Sequence, residues 1–120
     1  MSNPALHHKI TYLEFTTTDI ERTKQFYSTV FGWKFKDWGP DYVSFDGSGI
    51  PGGGFCKGGP HETQASYAPL VVLYSADLEA TEAAIVAAGG SIVVPIFEFP
   101  GGRRFHFSDG AGNLLGVWSE

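Results

Sequence analysis

The stretch TTTDIERT (residues 16–23) returns 58 positions later as YSADLEAT (residues 74–81). In both copies an aspartate is followed by an apolar and then an acidic residue, which is the pattern of a helix that begins at an aspartate N-cap. The same offset overlays Gly32 on Gly90, where each helix-like run ends. A repeat of this length, seen twice in a short chain, predicts one supersecondary unit duplicated within a single fold.

Strand patterns flank both helical runs. Alternation and β-forming residues predict strands at 10–16, 33–38, 42–46 and 54–57 in the first copy, and at 70–74, 91–95, 104–108 and 114–118 in the second. The order β-α-β-β-β therefore occurs twice. We expect a single α+β domain over residues 1–120, made of two modules in tandem (about 9–58 and 66–119). One helix covers only one face of each mixed sheet, so the sheets should curve around a cleft with the helices on the outer faces.

Composition narrows the class of protein. The chain has 120 residues, 42% hydrophobic and 15% aromatic, which is enough for a core. A net charge of −5 without a basic run disfavours nucleic-acid binding, and no apolar stretch approaches the roughly 18–20 residues that span a bilayer. The single cysteine and the lack of an apolar segment at the start predict a cytoplasmic protein. His7 and His8 are interpreted as part of a terminal tail without a role.

Period-two alternation places one set of residues, most of them polar or aromatic, on the faces away from the helices. This set comprises Tyr12, Glu14, Thr16, Leu70, Val72, Tyr74, Arg104, His106, Ser108, Leu114, Gly116 and Trp118. Phe105 and Phe107 are then expected in the helix-facing core. The glycine-rich run at 47–54 lacks the Lys-Ser/Thr ending and the helix of a phosphate-binding loop, so it is interpreted as a hairpin turn.

Two longer motifs resemble the vicinal oxygen chelate superfamily, which includes glyoxalase I, bleomycin-resistance proteins and extradiol dioxygenases. They are TTTDIERTKQFYSTVFGWKF (residues 16–35) and AGGSIVVPIFEFPGGRRFHFSDGAGNLLGVW (residues 88–118), and together they cover most of the chain. The FGW after the first helix and the GVW ending are most similar to small glyoxalase-like proteins.

The resemblance implies a divalent metal held by His and Glu side chains on the concave sheet. The matching positions here carry Tyr12, Leu70 (or Val71, if the register slips by one), Gly116, and Phe55 or Cys56. Because no His/Glu set stands there, we expect no metal and no other cofactor. An improvised site made of Glu14, Cys56 and His106 is the alternative.

The leading functional hypothesis is a metal-free protein that binds a small organic molecule in an aromatic cleft, as the resemblance to bleomycin-resistance proteins implies. The expected ligand-binding residues are Tyr12, Phe55, Cys56, Tyr74, Arg104 and Trp118, with Glu14 and His106 as candidate catalytic residues. The alternative is a lyase or isomerase of the glyoxalase type that uses Glu14 or His106 as a general base next to a carbonyl. A structural role in dimerisation is a third hypothesis. The resemblance also implies a homodimer.

Overall fold

A computed structural model describes residues 3–45, 51–58, 68–111 and 113–120. This part of the chain contains eight strands and two α-helices, which confirms the α+β class. The elements are β1 (Ile10–Thr17), α1 (Ile20–Phe31), β2 (Phe35–Asp37), β3 (Tyr42–Phe45), β4 (Gly52–Lys57), β5 (Leu70–Tyr74), α2 (Leu78–Ala87), β6 (Ser91–Phe99), β7 (Gly102–Ser108) and β8 (Leu114–Ser119). Most of the predicted linker between the copies lies outside the described residues.

The chain divides into two compact units. The early unit is Tyr12–Leu70, and the late unit joins Met1–Thr11 to Val71–Glu120. The strand order is β2-β3-β4-β1 in the early unit and β5-β8-β7-β6 in the late unit. In each unit the first strand is parallel to the last (β1 to β4, β5 to β8) and the other described pairs are antiparallel. The predicted module boundaries and cleft stay predictions.

The core of the early unit lies between α1 and one face of its strands. Ile20, Val43 and Phe55 are buried there, and Phe15 and Tyr27 pack against them. The apolar residues of β3 and β4 that alternate toward α1 fill this side. The other face of the same strands is therefore the one that carries polar side chains.

The late unit repeats this arrangement with α2. Leu78, Phe105 and Val117 are buried together, and Phe107 and Ile92 pack against them. This confirms that Phe105 and Phe107 face the helix. Their neighbours Arg104 and His106 must then lie on the opposite face, because successive side chains of a strand alternate.

Both helices begin as the repeat predicts, but they end differently. The Asp19 side chain accepts a hydrogen bond from the backbone N–H of Arg22 (3.0 Å), and Asp77 does the same for Ala80 (3.1 Å). Helix α1 ends at Gly32 in the left-handed region (φ 72°). In α2 the left-handed residue is Gly89 (φ 100°), the first glycine of the pair Gly89-Gly90 that ends the second helical run, so the structural counterpart of Gly32 lies one residue before Gly90. Helix α2 is two residues shorter than α1 (10 against 12), and Ala88 stands between its last residue and Gly89, which leaves a shift of one.

Strand β6 is longer than the sequence pattern predicts, because it continues through Pro95 to Phe99. It is the edge strand of the late unit, and its pairing with β7 shifts register between Ile92 and Val94 and again between Val94 and Phe97. Proline is tolerated at edges and bulges because it has no N–H to give to the ladder. Pro95 therefore sits inside the strand instead of ending it.

The N-terminal segment is bound to the late unit, so the interpretation of His7 and His8 as a tail without a role is wrong. His7 Nδ1 accepts a hydrogen bond from the backbone N–H of Ala76 (2.8 Å), and the N–H of His8 donates to the Tyr74 carbonyl (2.7 Å). The two imidazoles stack with their centroids 3.7 Å apart.

Among the described residues, no helix has the length and apolar character needed to cross a membrane.

Candidate functional site

The early unit presents a polar surface on the side of its strands away from α1. Glu14 on β1 is paired with Gly54 on β4, and Gly54 is paired with Ser44 on β3. Alternation extends this surface along each strand. We call it the early polar face; it consists of Tyr12, Glu14, Thr16, Tyr42, Ser44, Gly54 and Cys56.

A chain of hydrogen bonds joins three side chains of the early polar face. The Tyr42 hydroxyl donates to Glu14 Oε2 (3.0 Å) and lies 2.6 Å from the Tyr12 hydroxyl. Glu14 is only 6% exposed, and a buried carboxyl requires such partners. Burial raises the pKa of the Tyr42 phenol well above its usual range, and the negative charge of Glu14 adds to the effect. Tyr42 therefore remains a protonated donor.

Gly54 makes room for both phenols. A Cβ atom at this position would lie 2.4 Å from the Tyr42 hydroxyl and 2.5 Å from that of Tyr12. Real Cβ contacts are never this short, so a side chain here would displace the two hydroxyls. The glycine is thus part of the site, although it contributes no functional group.

Cys56 and Phe55, both predicted to bind ligand, lie on opposite faces. Cys56 is on the early polar face, paired with Thr16 and with Tyr42. Phe55 is buried in the core with Ile20 and Val43. The placement of Phe55 toward the ligand is corrected, because adjacent residues of one strand cannot share a face.

The late unit presents an aromatic surface on the side away from α2. Arg104 on β7 is paired with Trp118 on β8 and with Phe97 on β6, and Tyr74 on β5 is paired with Trp118. We call this surface the late aromatic face; it consists of Tyr74, Phe97, Phe99, Arg104, His106 and Trp118.

Arg104 is held against aromatic rings by His106. Its guanidinium carbon lies 5.7 Å from the centroid of Phe97 and 5.6 Å from that of Phe99, within the range of cation–π attraction. Its Nη2 and Nε lie 2.9 Å and 3.3 Å from His106 Nε2. A guanidinium only donates, so Nε2 is the acceptor and the imidazole carries its proton on Nδ1. This contact uses the lone pair that a general base would need, and it favours a positioning role for His106, which is 4% exposed.

Tyr74 is fully buried and ties both chain ends to the late unit. Its hydroxyl accepts a hydrogen bond from the backbone N–H of Asn3 (2.9 Å) and donates to the Glu120 carboxylate, which raises the pKa of the phenol. Its ring meets the Trp118 ring edge to face, with centroids 5.0 Å apart. Trp118 is anchored in turn, because its indole N–H donates to Thr11 Oγ1 (2.9 Å).

Sequence reasoning missed five residues of these faces, namely Tyr42, Ser44, Gly54, Phe97 and Phe99. Tyr42 could have been found, because alternation in the predicted strand at 42–46 separates Tyr42 and Ser44 from Val43 and Phe45. Phe97 and Phe99 could not, because the predicted strand ended at Pro95. The shallow grooves of the early unit run along the exposed side of α1, past residues such as Arg22, Gln25 and Phe26, and involve none of the predicted site residues.

The positions at which the resemblance implies metal ligands do not fit a divalent metal. Tyr12 is engaged with Tyr42, Leu70 is a fully buried apolar residue, and Gly116 has no side chain. Within the described ranges no three His, Cys, Asp or Glu side chains come together as a metal site. No step proposed for this protein therefore uses a metal, and the metal-free expectation stays a prediction.

Comparison with known proteins finds a matching family model and two similar proteins. Residues 9–117 match the family model of the Glyoxalase/Bleomycin resistance protein/Dioxygenase superfamily. Proteins named "Putative glyoxylase CFP32" from Mycobacterium bovis and Mycobacterium tuberculosis are 25% identical over 124 aligned residues. The match covers 89% of this chain but 44% of those proteins, so the chain spans less than half of their length.

Two solved structures show the same fold at low sequence identity. Methylmalonyl-CoA epimerase from Mycobacterium tuberculosis superposes with a TM-score of 0.73 at 12% identity, covering 92% of this chain and 86% of that one. The hypothetical protein BH1468 from Bacillus halodurans superposes with a TM-score of 0.74 at 11% identity, covering 94% of each chain. The family match over most of the chain and the shared fold agree: this chain belongs to the Glyoxalase/Bleomycin resistance protein/Dioxygenase superfamily.

Proposed function

We propose that this protein binds a small organic molecule at the sheet faces that its helices leave uncovered. The observation that carries the proposal is the late aromatic face, where the Arg104 guanidinium lies against Phe97 and Phe99 and is held by His106. Small-molecule sites combine apolar and aromatic walls with a few well-placed polar groups. Family membership supports the proposal, since the superfamily includes bleomycin-resistance proteins.

In this proposal every predicted site residue except Phe55 has a defined part. Arg104 recognises an anionic or polar group of the ligand, His106 orients Arg104, and Trp118 forms the wall beside it. Tyr74 supports Trp118 from below the surface. The early polar face is a second binding surface, considered by itself, on which Tyr12 and Cys56 contact a ligand and Glu14 acts through its hydrogen bonds.

Two adjacent arginines make a matched test. Arg104 lies on the late aromatic face, whereas Arg103 points to the other side and pairs with Glu79 at the start of α2 (2.5 and 3.1 Å). We expect benzoate, used as a small aromatic anion in an NMR titration, to shift the amides of β7 and β8. Arg104→Met should weaken its binding by about tenfold or more, because hydrogen bonds to charged groups contribute roughly 1.5–3 kcal/mol.

The control is Arg103→Met, which removes the same charge from the opposite face and should leave the affinity for benzoate unchanged. Equal losses in both variants would show a non-specific charge effect and contradict the proposal. So would the absence of any amide shift on the late aromatic face with benzoate and with a broad set of uncharged aromatic fragments.

A lyase or isomerase of the glyoxalase type is the second candidate. The observation that favours it is a carboxyl group, Glu14, buried on the early polar face and hydrogen-bonded to a phenol. As a general base it would exchange a C–H proton next to a carbonyl with solvent. The test is deuterium incorporation into a panel of 2-oxo acids in D₂O, with Glu14→Gln expected to abolish it. If the wild-type protein incorporates no deuterium into any of them, binding without catalysis is favoured.

The homodimer and the cytoplasmic location stay predictions. Light scattering of the purified protein tests the first, because a dimer has twice the mass of the 13.0 kDa chain.

A further inference from the structure

The hydrogen-bond chain on the early polar face has a fixed direction. A carboxylate only accepts hydrogen bonds, so the Tyr42 hydroxyl gives its proton to Glu14. The 2.6 Å contact between the two phenols must then use the proton of Tyr12. Each phenol has a single proton, and toward any further group the Tyr12 oxygen can therefore only accept.

The surroundings hold this direction in place. Glu14 is buried, and a carboxylate in such a site gains from charge-assisted hydrogen bonds that a neutral acid would lack. Aligned hydrogen bonds also polarise one another. Gly54 lets the two hydroxyls lie over the strand at this spacing, and Tyr12 itself is half-buried.

We infer that the early polar face selects ligands that present a hydrogen-bond donor, a phenol, alcohol or N–H group, to Tyr12. A ligand that offers only a carbonyl, ether or halogen there would place its lone pairs against those of the Tyr12 oxygen. Glu14 and Tyr42 set this preference without touching the ligand, so they are specificity-determining through Tyr12. The inference rests on the proposed small-molecule binding, but it makes a claim about proton positions that can be tested without a ligand.

The ligand-free arm is neutron diffraction from a deuterium-exchanged crystal at neutral pH. We expect the Tyr42 deuteron to point at Glu14 and the Tyr12 deuteron to point at Tyr42. A deuteron on Glu14, or a Tyr42 deuteron that points at Tyr12, would overturn the inference whatever the protein binds.

The ligand arm compares phenol with fluorobenzene, which has the same ring and nearly the same size but no donor. Amide shifts of β1 and β4 are followed by NMR. We expect phenol to bind about tenfold more tightly than fluorobenzene to the wild type, and to within about twofold of fluorobenzene in Tyr12→Phe, which lacks the accepting oxygen.

Tyr27→Phe is the matched control. Tyr27 packs in the α1-side core against Phe55 and Trp33, with centroids at 5.3 Å and 4.9 Å, so removing its hydroxyl should leave the preference for phenol intact. Equal affinity of the wild type for the two probes would overturn the donor preference and leave small-molecule binding standing. A lack of amide shifts in β1 and β4 with both probes would also overturn the inference, while the Arg104 test decides the proposed function by itself.

Discussion

The starts of the two helices are built from the same parts, while the sheet faces opposite the helices have little in common. Two residues before each N-cap aspartate, a hydroxyl side chain accepts from the aspartate N–H (3.1 Å in the early unit, 3.0 Å in the late). The same hydroxyl contacts a threonine four residues after the aspartate (2.7 and 2.8 Å). The groups are Thr17, Asp19 and Thr23 in one unit and Ser75, Asp77 and Thr81 in the other.

The opposite faces differ in charge and in polarity. In the early unit the middle of the first strand carries Glu14, opposite Gly54; in the late unit it carries Val72, opposite Gly116. The late unit instead places Arg104 and His106 on β7. Caps and helix-facing cores hold each helix on its sheet, and the two units build them alike. The uncovered faces are where the chemistry of a shared fold can vary.

The largest effect is expected when one buried aromatic ring is removed from the helix-facing core of each unit. Phe105 is fully buried in the late core and Phe55 is 5% exposed in the early core. Phe105→Ala and Phe55→Ala should each lower the free energy of unfolding by about 3–5 kcal/mol, because a large cavity opens against a helix. Urea denaturation followed by circular dichroism measures both. Phe26→Ala, at a residue 54% exposed on α1, is the control and should change stability little. A cost for Phe55→Ala no larger than that control would place Phe55 outside the core.

The next test adds one methyl group to the early polar face. Gly54→Ala should destabilise the protein by about 1–3 kcal/mol, the usual cost of overpacking, because its Cβ meets both phenol hydroxyls. The same substitution in a Tyr12→Phe/Tyr42→Phe background should cost less, since the two closest atoms are gone. Urea unfolding of the four proteins gives the coupling. An equal cost in both backgrounds would mean that the hydroxyls do not occupy the space over Gly54.

The caps should respond equally, because their geometry is the same. Asp19→Ala and Asp77→Ala should each lower the unfolding free energy by about 1 kcal/mol, and the double variant should lose about the sum. Thermal and urea unfolding measure all three proteins. A loss in only one unit would break the equivalence of the two copies.

The helix caps could be predicted from the sequence, whereas the contacts on the uncovered sheet faces could be predicted only in part. The cap at Asp19 and the cap at Asp77 are local, since each aspartate bonds a backbone N–H three residues later, so the repeat located both helices. Alternation also placed Glu14 on the right face of β1, because a face depends only on the parity of position within a strand.

The errors came from contacts between residues far apart in sequence. His7 accepts from Ala76 N–H, a partner 69 positions away that no local pattern marks. Pro95 stays within β6 because that strand is at an edge, which is a property of the sheet and not of the segment. The misplacement of Phe55 was different, since alternation with Cys56 was sufficient to correct it. That Tyr42 is the hydrogen-bond partner of Glu14 could not be predicted without the pairing of β3 with β4, which brings Tyr42 near Glu14.

The smallest expected effect is that of replacing Arg103, on the helix side of β7. Comparing it with Arg104 on the opposite side tests the contrast between the two faces of this strand. Hydrogen bonds from Arg103 hold the pKa of the Glu79 carboxyl below its usual value of 4.5. A depressed carboxyl pKa adds stability that is fully present above the unfolded value and is lost as the pH falls through the folded value. Arg103→Met should therefore raise the pKa of Glu79 toward 4.5 and move acid unfolding slightly to higher pH.

Arg104→Met, on the other face, is the control and should leave the pKa of Glu79 unchanged. Side-chain carboxyl NMR titration of Glu79 separates the two variants, and a similar rise in both would show that Glu79 senses net charge and not its contact with Arg103.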